Sequence, residues 1–174
     1  MRIVEPFVKA HLALWLVARG GENIEVSVDG AEPHPGMVCE ILTRAGFVRT
    51  PNKNSVAEWT GRYKSPSGAV VLVESKPGAD VKAILPPNRH FLAECKGELT
   101  EKGTRAGNDK TAFYTGLGQL LVIAGQSERS PDVIALGLPH MPRFAEMAKQ
   151  ASTNKLLKEL KVTVLLVNAQ GQVT

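Results

Sequence analysis

Hydrophobic and polar positions along the chain follow helical spacing in some segments and strand spacing in others, which predicts an α/β fold. A first helix over residues 6–18 is apolar around more than half of its circumference, so we expect it to be largely buried. The remaining segments with regular spacing are predicted helices over residues 36–44, 109–124 and 142–160 and strands over residues 24–28, 56–64, 69–85, 90–96, 132–138 and 162–167.

The order of these elements predicts how they assemble. Turns after residues 64 and 85 separate three consecutive strands, which indicates an antiparallel meander, and Pro77-Gly78 must bend or interrupt the middle strand. The last strand–helix–strand stretch predicts a parallel pair with the helix as crossover. We therefore expect one domain over residues 1–174, with a central mixed sheet flanked by helices on both faces.

Composition narrows the class of protein only slightly. The chain has 174 residues, 43% of them hydrophobic and 22% charged, with a formal charge of +4. This is an ordinary globular balance with a mild basic bias that is compatible with a polyanionic partner. No run approaches the roughly 20 apolar residues of a membrane span. With two cysteines, and with Glu5 and Pro6 ahead of the first apolar run, we expect a reduced, cytoplasmic protein without a secretory signal.

One strand end carries an unusual pair of charged residues. Side chains alternate along a strand, so Glu94 and Lys96 project to the same face while Cys95 points to the other. Charged side chains at the end of an otherwise apolar strand must form an ion pair, face solvent or serve a function. Asp80 on the preceding strand has a separation from Glu94 that suits a hairpin bringing the two carboxylates together.

Such a cluster suits a hard divalent cation. Two neighbouring carboxylates repel each other unless a cation lies between them, and magnesium prefers oxygen ligands. Asp80 and Glu94 are the candidate ligands, with the main-chain carbonyl of Cys95 completing the shell. A bound ion polarises a phosphate and lowers the pKa of water, and Lys96 can stabilise the developing negative charge. The predicted cofactor is magnesium, with manganese as a substitute.

The pattern of an aspartate, a hairpin and Glu-x-Lys resembles the PD-(D/E)xK nuclease superfamily, which includes restriction endonucleases and Holliday-junction resolvases. The resemblance places the core at residues 36–138, although Ala79 stands where the family usually has proline. It implies a restriction-endonuclease-like fold and magnesium-dependent hydrolysis of DNA. It also implies a role for Gln119 on the following helix. An additional acidic residue is implied as well, for which Glu40 and Glu5 are rival candidates.

Several interpretations remain open beside the nuclease. The fold is also compatible with a catalytically inactive nucleic-acid-binding module or an assembly subunit, and residues 36–71 can be read as a winged-helix element. Cutting both strands of a duplex with one site per chain would favour a homodimer. The remaining candidate nucleic-acid contacts are the basic loop residues Lys102, Arg105 and Lys110 and the aromatic residues Trp59 and Tyr63, for which core packing is the favoured interpretation.

Overall fold

Five helices and eight strands are formed by the described part of the computed structural model, which comprises residues 3–52, 57–98 and 106–174. The helices are α1 (Glu5–Val17), α2 (Met37–Arg44), α3 (Ala106–Gln126), α4 (Pro142–Thr153) and α5 (Lys155–Glu159). The strands are β1 (Glu22–Ser27), β2 (Val48–Pro51), β3 (Gly61–Lys64), β4 (Val70–Glu74), β5 (Val81–Leu85), β6 (Arg89–Cys95), β7 (Val133–Pro139) and β8 (Val162–Val167).

All eight strands belong to one mixed sheet in the order β2-β3-β4-β1-β5-β6-β7-β8. The pairs β1/β4, β6/β7 and β7/β8 are parallel, and the other four neighbouring pairs are antiparallel. The parallel pairing of β7 and β8 across α4 and α5 confirms the predicted crossover. The prediction of an α/β domain with a mixed sheet is confirmed.

The predicted antiparallel meander is wrong at its centre, because β1 lies between β4 and β5. β1 pairs in parallel with β4, where Val26 lies opposite Val73, and in antiparallel with β5, where Val26 lies opposite Val81. The interruption at Pro77-Gly78 explains how this happens. It leaves residues 75–80 outside the ladder. Six residues of extended chain span about 20 Å, which is more than the distance from β4 across β1 to β5, two strand spacings of about 4.8 Å each.

Helices cover both faces of the sheet, and each face has its own apolar core. Neighbouring residues of β6 show the division: Ala93 packs with α1 residues such as Leu12 and Leu16, whereas Leu92 packs with Leu120 of α3. Leu12, Leu16 and Leu120 are fully buried. Burial of each such side chain contributes about 1.5–3 kcal/mol to stability. The first helix is therefore buried, as its apolar pattern predicts.

Besides the interrupted middle strand, and α3, which is longer than predicted, two predicted elements differ clearly from the structure in extent. The predicted helix over residues 142–160 is divided at Asn154, whose extended backbone ends α4 and whose side chain caps the Leu157 nitrogen of α5. The predicted strand over residues 56–64 begins only at Gly61, and residues 53–56 lie outside the described ranges. Asparagine bonds to neighbouring backbone in turn and cap conformations, which explains the break in the helix.

The aromatic pair on this segment has a structural role. Trp59 lies in the turn before β3, so it does not alternate with Tyr63 on one strand as predicted. Tyr63 is fully buried, and its hydroxyl donates a hydrogen bond to the Trp59 carbonyl at 2.7 Å.

The winged-helix interpretation is not supported, because the β2–β3 hairpin continues into the eight-stranded sheet. Within the described ranges, no helix combines the length and apolarity needed to cross a bilayer.

Candidate functional site

Four segments meet at one end of the central sheet. The end of β1 and the end of β6 flank the start of β5, because β5 is antiparallel to both strands. Val81 pairs with Ala93 on one side and with Val26 on the other, which places Asp80 beside the last residues of both neighbours. The N-terminal turn of α1 lies over the same end. Sheet pairing therefore brings Asp80 and Glu94 together, as the hairpin spacing predicted.

Asp80 is held by both of its carboxylate oxygens. Its Oδ2 accepts a hydrogen bond from the Cys95 main-chain nitrogen at 2.7 Å, and its Oδ1 lies 2.7 Å from the Lys9 ammonium. Its main-chain carbonyl accepts a bond from the Ser27 nitrogen at 2.8 Å. The residue is only 8% exposed. Its side chain is thus fixed in orientation before any ligand arrives.

Glu94 and Lys96 form an ion pair in the same place. The Lys96 ammonium donates to Glu94 Oε1 at 2.7 Å, and Glu94 is 5% exposed. Burial raises the pKa of Glu94 to about 7, with Asp80 adding to the effect and Lys96 opposing it. Burial by itself lowers the pKa of Lys96, but Glu5 and Glu94 outweigh it, so the net direction is upward. Lys96 is therefore a charged donor next to a carboxyl that titrates near neutrality.

Glu5 is the extra acidic residue that the structure brings to the site. Its Oε2 lies 3.8 Å from the Lys96 ammonium, and its Oε1 lies 3.1 Å from the Lys9 ammonium. Burial raises the pKa of Glu5, helped by Asp80 and opposed by the two lysines. Gly97 permits this approach, because a Cβ there would lie 2.4 Å from the Glu5 nitrogen. The N-terminus of α1 can thus reach the end of β6.

Its rival, Glu40, is solvent-exposed on α2 and is not among the residues lining the site cavity. α2 packs against α1 rather than against the strand ends that carry Asp80 and Glu94. The structure therefore does not bring Glu40 to the predicted metal ligands. An acid at the start of α1 reaches the site because that helix begins over the sheet end.

Lys9 is a buried cation at the centre of the acidic groups. It is 1% exposed, and its ammonium lies 2.7 Å from Asp80 Oδ1, 2.6 Å from Glu32 Oε1 and 3.1 Å from Glu5 Oε1. It also donates to the Ser27 carbonyl at 3.1 Å. Burial by itself lowers the pKa of Lys9, but these three carboxylates outweigh it and raise the pKa above the usual value.

Glu32 is a further acid of the cluster, contributed by the loop after β1. Its Oε1 accepts bonds from Lys9 and from the Asp29 nitrogen, each at 2.6 Å. Its Oε2 is buried and has no hydrogen-bond partner among the described residues, and its side chain is 10% exposed. A buried carboxylate oxygen without a donor is costly. The cluster thus keeps one buried acceptor that no described donor satisfies.

α3 supplies the remaining side of the site. Gln119 lines the same cavity as Asp80, Glu94 and Lys96. Gly116 lies one turn earlier on the helix, and a Cβ there would come within 3.1 Å of Lys96 Cγ and 2.8 Å of Leu136 Cδ1. Close approach of α3 to the sheet therefore explains this helical glycine.

The same explanation does not extend to Gly118. A Cβ at that position would meet no atom within 4 Å in the described structure. Among the described residues, close approach to the sheet thus accounts for Gly116 and not for Gly118.

These groups surround an open cavity of about 500 Å³. Five carboxylates (Glu5, Asp29, Glu32, Asp80 and Glu94) and three lysines (Lys9, Lys76 and Lys96) line it, which gives a formal charge of −2 with all of them ionised. Within the described ranges, however, no group of three or more Asp, Glu, His or Cys side chains is arranged to hold a metal ion. The cavity is therefore acidic but has no preassembled set of three ligands.

The other predicted residues lie away from the cavity or outside the described part of the chain. Cys95 is fully buried on the opposite face, in the core with α1, and burial raises the pKa of its thiol. Its side chain is thus the core element that the strand alternation predicted, and it reaches the site only through its main chain. Lys110 is exposed on α3, and Lys102 and Arg105 lie outside the described residues.

The sequence patterns did not identify Lys9 and Glu32 as residues of the site. Lys9 interrupts an otherwise apolar buried helix, and its spacing of four from Glu5 is that of a helical ion pair, so a usable signal was present. Glu32 has no such signal, because it stands in an irregular loop that only the folding of β1 against β5 brings to the cluster. No family model, curated protein or solved structure compared with the chain matches it.

Proposed function

We propose that the chain is a metal-dependent nuclease that hydrolyses phosphodiester bonds of DNA, with a site and core of the PD-(D/E)xK, restriction-endonuclease-like type. The observation that carries this proposal is the meeting of Asp80, Glu94 and Lys96 in one cavity, produced by the pairing of β5 with β6. Gln119 lines the same cavity from the following helix. Carboxylates that can hold a metal ion, with a cationic hydrogen-bond donor beside them, are residue types that promote such hydrolysis.

Magnesium fits the chemistry of the donor set, with manganese as a substitute. The lining groups are carboxylates with an excess of negative charge, and Glu32 Oε2 is a buried oxygen without a partner. Asp80 and Glu94 would hold the ion, with Glu5 as the nearby third acid. When bound, the ion supplies Lewis-acid polarisation of the phosphate and an activated water.

The protein's own groups position the substrate and water and stabilise the negative charge that develops on the phosphate. Lys96 keeps its charge beside Glu94 and places a hydrogen-bond donor where negative charge develops on the phosphate. Gln119 lines the cavity, and a glutamine amide can orient water or substrate. The bond from the Cys95 nitrogen fixes the direction of the Asp80 carboxylate. Preorganised groups of this kind lower the reorganisation that the reaction requires.

The second candidate is a nucleic-acid-binding or assembly protein that retains the fold without catalysis. Two observations favour it: no three-ligand metal group is present among the described residues, and Lys9 already neutralises part of the acidic cluster. The two candidates differ in whether a divalent ion must bind at Asp80 and Glu94.

Cleavage assays distinguish the candidates. Plasmid, duplex, single-stranded and branched DNA are incubated with magnesium or manganese and with wild type, Asp80→Asn, Lys96→Gln and Glu40→Gln. Asparagine keeps an acceptor for the Cys95 nitrogen but removes the charge, and Glu40 is an exposed control. We expect metal-dependent cleavage by wild type and the control and a loss of at least 100-fold in the two site variants. A folded wild type that cuts none of these substrates would remove the nuclease proposal.

A further inference from the structure

Lys9 has more acceptors than it has protons. A lysine ammonium carries three donor hydrogens. Within 3.1 Å of Lys9 Nζ lie four oxygens, one each from Ser27, Glu32, Glu5 and Asp80. Loss of any one contact leaves three acceptors for three hydrogens. The ammonium can therefore give up one carboxylate and remain fully hydrogen-bonded.

Asp80 is the contact at which Lys9 and a divalent ion would compete. One Asp80 oxygen is used by the Cys95 nitrogen and the other faces Lys9, each at 2.7 Å. A cation that binds Asp80 through the oxygen facing Lys9 must share or take that oxygen, and a cation on either oxygen approaches a buried positive charge. Repulsion between such charges is strong where solvent is excluded.

A second observation shows that Lys9 does not satisfy every acceptor of the cluster. Glu32 Oε2 is buried without a partner, although Glu32 Oε1 already contacts Lys9. The cavity keeps a formal charge of −2 after its three lysines are counted against its five carboxylates. The acids therefore exceed what Lys9 alone neutralises.

We propose that Lys9 is a resident cation that competes with the divalent metal for Asp80 and thereby sets the metal affinity of the site. On metal binding it releases Asp80 Oδ1 and stays on Ser27, Glu5 and Glu32. This inference rests on the proposed metal-dependent function. It makes Lys9 a positioning residue, because it acts through Asp80 rather than on the substrate.

The test measures manganese binding directly, without DNA or turnover. Isothermal titration calorimetry compares wild type with Lys9→Gln and with the double variant Lys9→Gln/Asp29→Asn. Glutamine keeps hydrogen-bond donors for Ser27 and Glu32. Asp29 lines the cavity, and its carboxylate accepts from the Ala31 nitrogen, so its change to asparagine restores the wild-type net charge. Local competition at Asp80 is thus separated from a change in total charge.

We expect both variants to bind manganese at least tenfold more tightly than wild type. Chemical denaturation with and without manganese provides a second readout, since a ligand that binds only the folded state stabilises it. The metal-induced stabilisation should be larger in both variants than in wild type. If Lys9→Gln alone does not fold, the charge-matched variant carries the comparison, because it also removes one of the cavity carboxylates and so lowers their mutual repulsion.

The outcomes separate this inference from the function on which it rests. If wild type binds manganese and the charge-matched variant binds it no more tightly, Lys9 only anchors α1 to the sheet and the inference fails alone. If neither wild type nor the variants bind manganese, the metal-dependent function fails and the inference fails with it. Tighter binding in Lys9→Gln but not in the charge-matched variant would show a general charge effect and would also overturn the proposal.

Discussion

Asp80 Oδ2 accepts a hydrogen bond from the Cys95 main-chain nitrogen at 2.7 Å, so the two halves of the Asp and Glu-x-Lys pattern are joined through the backbone. This contact does not depend on the side chains of Glu94 or Lys96. Substitutions of those two residues should therefore leave Asp80 in place, which makes the site suitable for dissection one residue at a time.

Glu5 and Glu40 form a matched pair for the third acidic position. Glu5→Gln removes a charge that lies 3.8 Å from Lys96 and 3.1 Å from Lys9, whereas Glu40→Gln changes an exposed residue. We expect metal-dependent cleavage to fall at least tenfold in Glu5→Gln and to remain within twofold of wild type in Glu40→Gln. Steady-state cleavage rates at fixed manganese provide the measurement. A larger loss of cleavage rate in Glu40→Gln than in Glu5→Gln would indicate that Glu40, and not Glu5, is the third acid.

Gly116 and Gly118 test the close approach of α3. Alanine at either position gains roughly 1 kcal/mol of helix propensity. At Gly118 a Cβ meets nothing within 4 Å, so we expect Gly118→Ala to stabilise the protein by about that amount. At Gly116 the Cβ meets Leu136 and Lys96, so Gly116→Ala should be less stable than Gly118→Ala by about 1–3 kcal/mol and should lose more of kcat. Urea denaturation and cleavage kinetics of both variants decide this, and equal stabilities would argue against the contact.

Gly97 tests the approach of α1 to β6. A Cβ at this position would lie 2.4 Å from the Glu5 nitrogen and 2.8 Å from the Val4 carbonyl carbon, and backbone atoms cannot rotate away. We expect Gly97→Ala to lower the free energy of unfolding by about 1–3 kcal/mol. Gly36→Ala is the control, since Gly36 has helical backbone angles and open space around it and should be neutral or slightly stabilised. Urea unfolding curves of the two variants give the comparison.

The raised pKa of Glu94 predicts that the stability of the protein depends on pH. Its pKa in the folded protein, about 7, lies above the ordinary value of 4.5, so folding favours the neutral carboxyl. Its stabilising contribution is fully present below pH 4.5 and is lost as pH rises through about 7. In EDTA we expect the stability of wild type to fall relative to Glu94→Gln over this interval and then to level off. Denaturation at several pH values measures it, with Glu40→Gln as a control that should parallel wild type.

Most elements of the fold were predictable because they depend on local patterns. The buried first helix follows from its apolar circumference, and the last strand, Val162–Val167, is formed over the predicted residues. The order of strands was not predictable in the same way. Whether β4 pairs with β5 or with β1 depends on contacts between residues distant in sequence, and both arrangements satisfy the same alternation of apolar residues.

The sequence by itself determined that Asp80, Glu94 and Lys96 lie together at the paired strand ends, because they stand on segments that hairpin geometry must bring together. Only the tertiary structure decided what surrounds them. Glu5, Lys9 and Glu32 reach the cluster through the packing of α1 over the sheet end and the insertion of β1 beside β5. The physical reason is that charge neutralisation in a buried cluster depends on distance in space, which local spacing along a chain does not encode.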